Sequence, residues 1–204
     1  MTSRTSTPRR SSARPVTVLL HALLLEIPET VKTARLTLEA TRAGASDAIH
    51  DAVGESHEEL KRWMPWASEP QKPEDATAHC ATMTAKWYAR EELDFCIVRA
   101  SDGVLVGKGG LHTIDWSIPK FEIGYWVRSS CAGQGYATEA AQGLAGMARA
   151  ALGAVRLEIR SDARNGASRR VAEKCGFDLE GILRRSRRDT AGELSDSCMY
   201  ARVF

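Results

Sequence analysis

Arg128-Ser-Ser-Cys-Ala-Gly-Gln-Gly-Tyr-Ala-Thr-Glu-Ala140 sets two glycines, Gly133 and Gly135, around one glutamine and runs directly into alanine-rich sequence. Ala137, Ala140, Ala141, Leu144, Met147, Ala148 and Ala151 recur at steps of three and four, which predicts a helix from Tyr136 to Leu152. The preceding run, Phe121-Glu-Ile-Gly-Tyr-Trp-Val127, reads as a strand. The glycines therefore lie between a strand and a helix start. The first N–H groups of a helix lack intrahelical partners, and its dipole favours an anion there. Glycine at both positions opens unusual φ values and a close approach that side chains would obstruct. A phosphate fits such a loop, and so does a plain tight turn. No Gly-Lys-Ser/Thr follows, so this is not a P-loop, and the third glycine of a dinucleotide fingerprint is missing.

Outward from this loop the pattern is regular. Arg35–Ala40 alternates as a half-buried strand, and Ala45–Leu60 carries helical spacing with Ser46 or Asp47 as cap candidates. Trp63-Met-Pro-Trp66 follows as a loop, because proline blocks continuation of the helix. Glu74–Arg90 reads as a second helix. Asp94–Ala100 and Val104–Ile114 read as strands joined at Ser101-Asp102-Gly103. Beyond the Tyr136–Leu152 helix come a strand at Val155–Arg160 and a short helix at Ser168–Lys174, stopped by Gly176. The final two strands, Phe177–Leu183 and Ser195–Phe204, are joined by an Arg-rich segment and a turn at Ala191-Gly192. This order predicts an α+β domain: a mixed sheet of about seven strands with helices on both faces.

The chain has 204 residues, 43% of them hydrophobic, and a net charge of +2, which gives no mandate for nucleic acid. Five scattered cysteines and five histidines without metal-ligand spacing argue against zinc, any other metal or a disulfide framework, and suit a cytoplasmic protein. His112 reads as a satisfied or exposed strand residue. Residues 1–28 form an N-terminal extension: Ser/Thr/Pro/Arg-rich and expected to be disordered over the first fifteen, then an apolar run too short for a membrane span. Residues 29–204 form the domain.

The loop Ser130-Cys131-Ala132-Gly133-Gln134-Gly135 resembles motif A of the GNAT acetyltransferases, with serine at the first position where the family has Arg or Gln. Glu122-Ile-Gly-Tyr-Trp-Val127 before it, and Asn165-Gly-Ala-Ser168 and Glu173-Lys-Cys-Gly-Phe177 after it, occur in family-like order. With Thr33–Leu38 and Trp63–Trp66, these make the chain similar to the RimJ/RimL branch over residues 29–204. The resemblance implies a GNAT fold, acetyl-CoA as co-substrate, and direct transfer to a primary amine in a ternary complex. The acceptor would be a protein N-terminal α-amine of ribosomal-protein type or a small-molecule amine, and the protein a monomer or homodimer.

It also implies roles for individual residues. The backbone of Gly133, Gln134, Gly135, Tyr136 and Ala137 would hold the pyrophosphate, and Tyr125, Trp126 and Val127 would pair with the pantetheine arm. Asn165 and Ser168 would lie by the arm and the sulfur, although both types also suit helix capping. Many family members place an acidic tyrosine seven residues after that asparagine. Here that position is Ala172, so the acid role passes to Ser168. Glu122 is the candidate base, with a solvated or salt-bridged glutamate as the other reading. Trp63 and Trp66 would line the acceptor channel or cover the sheet edge. Cys131 has no histidine close in sequence, which argues against a covalent nucleophile. Arg184–Arg188 reads as a solvated face, an attraction for acidic partners, or a contact to the cofactor's 3′-phosphate, and it stands where some relatives carry a carboxylate. A non-catalytic module of the same fold that binds acetyl-CoA is the competing class.

Overall fold

The structure is a computed structural model, and it describes Leu20 and residues 22–204. The expected disorder of the first fifteen residues lies outside the described residues. One eight-stranded sheet runs through the domain. Its strands are β1 (Thr30–Lys32), β2 (Leu36–Ala40), β3 (Leu93–Arg99), β4 (Leu105–Asp115), β5 (Lys120–Val127), β6 (Arg156–Asp162), β7 (Asp178–Arg188) and β8 (Leu194–Val203). Their spatial order is β1-β2-β3-β4-β5-β6-β8-β7. Helices α1 (Ser46–Leu60), α2 (Pro73–Ala89), α3 (Tyr136–Leu152) and α4 (Gly166–Lys174) flank the sheet.

The sheet has one strand more than the seven expected. The addition is β1, three residues with no alternation to read, paired with β2. Two expectations are corrected. Neither Ser46 nor Asp47 caps α1: a 3-10 turn at Ala43–Ala45 feeds the helix, so Ala45 is the cap, without a side-chain bond. The Arg184–Arg188 run is not a connecting segment but the second half of β7. An edge strand with little burial carries charge without breaking its ladder.

α3 buries Ala140, Ala141, Leu144, Ala145, Met147 and Ala148 against the sheet. The sheet answers with Leu38, Phe95, Ile97, Phe121, Ile123 and Leu157 in the same core. Small alanines let the helix lie close, so the loop ahead of it is held against the sheet. On the opposite face, α1 and α2 form a second core with Ile49, Val53, Leu60, Cys80, Cys96 and Leu105. All five cysteines are buried and free.

The register decides where a site can form. β5 is antiparallel to β4 throughout, but it meets β6 in parallel only over Lys120–Glu122, opposite Arg156–Glu158. Beyond Glu122 the two strands part. Arg128 N–H bonds to the Val106 carbonyl, so even-numbered residues of β5 turn their backbone groups towards β4. The backbone groups of Tyr125 and Val127 therefore point into the gap.

Candidate active site

The loop between β5 and α3 has the geometry the glycines anticipate. Gly133 and Gly135 take φ values of 75° and 82°, a left-handed region that L-residues enter at a cost. Gly135 is the N-cap of α3. Among the described residues, the N–H groups from Gly133 to Ala137 have no hydrogen-bond acceptor in the chain. Five donors thus converge at a helix start, which is a fit for a phosphate anion.

Two contacts fix this loop from outside. On one side, Glu139 in the first turn of α3 accepts from Thr33 Oγ1 at 2.6 Å, Arg35 N at 2.7 Å and Arg35 Nε at 2.7 Å. Burial works against its charge, and those donors outweigh burial to hold its carboxyl below the ordinary value. Arg35 Nη1 also donates to the Gln134 carbonyl at 3.1 Å, and the guanidinium lies over the Tyr136 ring. On the other side, α1 grips the loop entry. Glu55 accepts from Ser130 N at 2.9 Å and Arg128 Nε at 2.5 Å, while Ser56 Oγ accepts from Ser129 N. Hydrogen bonds from Ser130, then Arg128, bring the Glu55 carboxyl down to about 2. The serine at the first motif position thus contributes its backbone N–H to this clamp.

A cavity of about 360 Å³ opens over the loop. It is lined by Gly133, Gly135, Tyr136 and Ala137, by Tyr125, Trp126 and Val127, and by Asn165 and Ser168. Arg170 and Lys174 of α4 add positive charge to its wall, whereas none of Arg184–Arg188 reaches it. Gln134 does not line it; its Nε2 is turned to the Ser130 carbonyl. Trp63 lines this cavity also. The Cys131 lining it is almost wholly buried, with Ser130 Oγ at 3.9 Å as its one side-chain neighbour in hydrogen-bond range among the described residues.

Asn165 and Ser168 serve both readings of their types. Asn165 Oδ1 accepts from Ser168 N at 3.0 Å, capping α4 and fixing Ser168 at the cavity wall. Ser168 Oγ then meets the Tyr125 hydroxyl at 3.1 Å, and that hydroxyl is also 3.2 Å from the Ser168 carbonyl. Burial, against the hydrogen bond from Ser168, pushes the Tyr125 phenol up to about 12. A tyrosine hydroxyl is therefore present by Ser168, but it comes from β5 and not from Ala172, which is fully buried in the core.

A second cavity, about 590 Å³, opens under α1 and α2. Met64, Tyr125 and Trp126 line both cavities. Its floor is set by three cross-strand pairs of β4 and β5: Lys108 opposite Trp126, Gly110 opposite Gly124, and His112 opposite Glu122. The glycine pair leaves the floor bare between the two outer rows. A Cβ on Gly124 would sit 2.8 Å from His112 Nε2, so the imidazole occupies the room that glycine provides. Trp66 lines this cavity, its ring centroid 6.4 Å from that of Trp126. Of the two tryptophans read as channel lining, each thus borders a different cavity. Glu122 lines neither; it stands one pair behind Gly124, across from His112. The sequence reading of His112 did not anticipate its place at the cavity, because only the strand pairing brings it over Gly124. Among the described residues, no group of three or more His, Cys, Asp or Glu could hold a metal ion, and no helix is long and apolar enough to cross a membrane.

Comparison with known proteins agrees with this geometry. Residues 35–178, well over half of the chain, match the acetyltransferase (GNAT) domain model. The chain is 28% identical over 152 residues to the Bacillus subtilis (strain 168) protein named "Putative ribosomal N-acetyltransferase YdaF", covering 73% of this chain and 81% of that one. In structure it is similar to RimL, a ribosomal L7/L12 α-N-protein acetyltransferase solved with coenzyme A, at a TM-score of 0.81 and 23% identity, covering 86% of this chain and 98% of that one. It is also similar to the microcin C7 self-immunity acetyltransferase MccE solved with acetyl-CoA and AMP, at a TM-score of 0.79 and 21% identity, covering 84% and 94%. The chain belongs to the GNAT family and is an acetyl-CoA-dependent acetyltransferase.

Proposed function

We propose that the protein transfers the acetyl group directly to a primary amine that enters from the α1/α2 face, and that this amine is a protein N-terminal α-amine of ribosomal-protein type. The observation that carries the reading is the pair of cavities sharing Met64, Tyr125 and Trp126, which lets donor and acceptor meet at the end of one strand. The acceptor class is supported by the relative named as a ribosomal N-acetyltransferase and by the likeness to RimL.

Acetyl-CoA supplies an activated acyl thioester. The Gly133–Ala137 N–H groups bind its pyrophosphate, and the outward backbone of Tyr125 and Val127 pairs with the amide-bearing arm. A backbone N–H in the β5/β6 gap also meets the negative charge that develops on the acyl oxygen. Ser168 donates to the departing sulfur, its Oγ held at the cavity wall by the Tyr125 hydroxyl 3.1 Å away. Cys131 takes no acetyl group, having no base beside it.

On the acceptor side the amine must lose a proton before or during attack. His112 holds the required position. Its Nδ1 lies 3.0 Å from Thr113 Oγ1, and in the tautomer that carries the hydrogen on Nδ1 the Nε2 beside Gly124 is an acceptor. Glu122, across the strand pair, favours by its negative charge the imidazolium that forms. The test is release of free CoA against N-terminal peptides of ribosomal proteins and a panel of small amines. Turnover above hydrolysis with the peptides supports the reading; binding of acetyl-CoA with no amine-dependent release would sink it.

A further inference from the structure

Lys108 is a charged side chain only 4% exposed, placed on the floor of the acceptor cavity. Its ammonium donates to Asp94 Oδ2 and to His79 Nε2, both at 2.5 Å. Asp94 Oδ2 also accepts from Thr41 Oγ1 at 2.7 Å, so the carboxylate is held from the far side. Lys108, Asp94 and His79 all line the cavity. The three come from β4, β3 and α2, so only the folded chain makes this cluster.

A buried lysine with three N–H donors needs three acceptors. Two are supplied by the protein. Among the described residues no group takes the third. Lys108 is the direct cross-strand partner of Trp126, which lines both cavities, and the bare Gly110–Gly124 pair lies next along the floor. A group lying on that floor, with its amine directed at Tyr125 and Trp126, would rest beside Lys108. The Asp94 partner neutralises the lysine, so the cluster is suited to a single hydrogen bond to an oxygen more than to capture of a free anion.

Resting on the acceptor side assigned above, we propose that Lys108, positioned by Asp94 and His79, selects amines that carry a carbonyl or carboxylate oxygen near the reacting nitrogen. An α-amine next to a peptide carbonyl has that form. A simple alkylamine lacks the oxygen.

The test compares L-alaninamide with isopropylamine, which replaces only the carboxamide by a methyl group, at equal free-base concentrations. L-Alanine serves as the carboxylate arm. The wild type should prefer alaninamide in kcat/KM by about tenfold or more, the range of a hydrogen bond to a charged donor. Lys108→Met should bring that ratio close to one while acetyl-CoA affinity is kept. Alanine acting as well as alaninamide would assign the site to either oxygen; alanine failing would restrict it to the carbonyl. Because Lys108→Met leaves Asp94 buried without its cation, the double variant Lys108→Met/Asp94→Asn provides a second background, checked by near-ultraviolet circular dichroism. A turnover-independent arm measures binding of N-acetyl-L-alaninamide to the CoA-loaded protein by calorimetry. Lys108-dependent binding there supports the subsite even if no amine is turned over, in which case only the transfer reading fails. A wild-type ratio near one, or a ratio and product affinity that survive both variants, overturns the proposal.

Discussion

Replacing Ser168 and Tyr125, singly and together, tests whether the two hydroxyls act as one donor. Ser168→Ala deletes an oxygen at the wall of the donor cavity, and Tyr125→Phe deletes its 3.1 Å partner while keeping the ring. If Ser168 meets the charge left on the departing sulfur, its loss should lower kcat by about 10²–10³, the usual effect of removing one aimed donor. Tyr125→Phe removes one supporting hydrogen bond, worth about 0.5–1.5 kcal/mol, so kcat should fall by about two- to twelvefold. The double variant should be no slower than Ser168→Ala, because Tyr125 acts through the serine. The assay is steady-state CoA release at saturating acetyl-CoA, with acetyl-CoA affinity measured in parallel and expected to change little. The pH profile adds a sign. With its pKa raised to about 12 by burial, Tyr125 stays a neutral phenol across the working range. It should therefore impose no falling limb on kcat below about pH 11. A Ser168→Ala rate within about threefold of wild type, or losses that simply multiply, would refute the coupled donor.

The Glu55 clamp makes the loop acid-sensitive. Its carboxyl sits at about 2 in the folded protein against an ordinary 4.5, so its contribution is full above about pH 4.5 and is lost as pH falls towards 2. Glu55→Gln should flatten that part of the stability–pH curve and weaken acetyl-CoA binding, both measured by thermal shift. Gly135→Ala places a Cβ only 3.5 Å from Arg35 Nη2, an ordinary contact, so its cost comes from the 82° φ: about 1–2 kcal/mol and a Tm lower by several degrees. Gly135→Glu should additionally abolish acetyl-CoA binding by calorimetry, and retained affinity would displace the pyrophosphate from this loop. His112→Gln should cost more in kcat than Glu122→Gln, about 10²-fold or more against about tenfold, because the histidine lines the acceptor cavity and the glutamate stands behind it; the reverse order would return the base to Glu122.

Local chemistry made much of this molecule readable from its residues. The bounds of α3 match the expected Tyr136–Leu152, because a 3.6-residue apolar period and two glycines mark its start without help from distant parts. The donor cavity was readable for a similar reason, since its loop, the end of β5 and the Asn165 cap each lie in one short segment. What escaped depends on pairing between segments. The contact between the Tyr125 and Ser168 hydroxyls joins residues 43 apart in sequence, and the contacts of Lys108 with Asp94 and His79 span 14 and 29. His112 looked ordinary because its importance lies in a glycine on the neighbouring strand. Arg184–Arg188 read as a connection because four arginines in five positions hide the alternation of a strand that buries so little.

The central claim is that donor and acceptor occupy their two cavities together, on either side of Tyr125 and Trp126. Initial rates measured over a grid of acetyl-CoA and acceptor-peptide concentrations test it most directly. Transfer within one complex predicts double-reciprocal lines that intersect. Parallel lines, the pattern of an acetylated enzyme formed and released in turn, would contradict it and point back to Cys131.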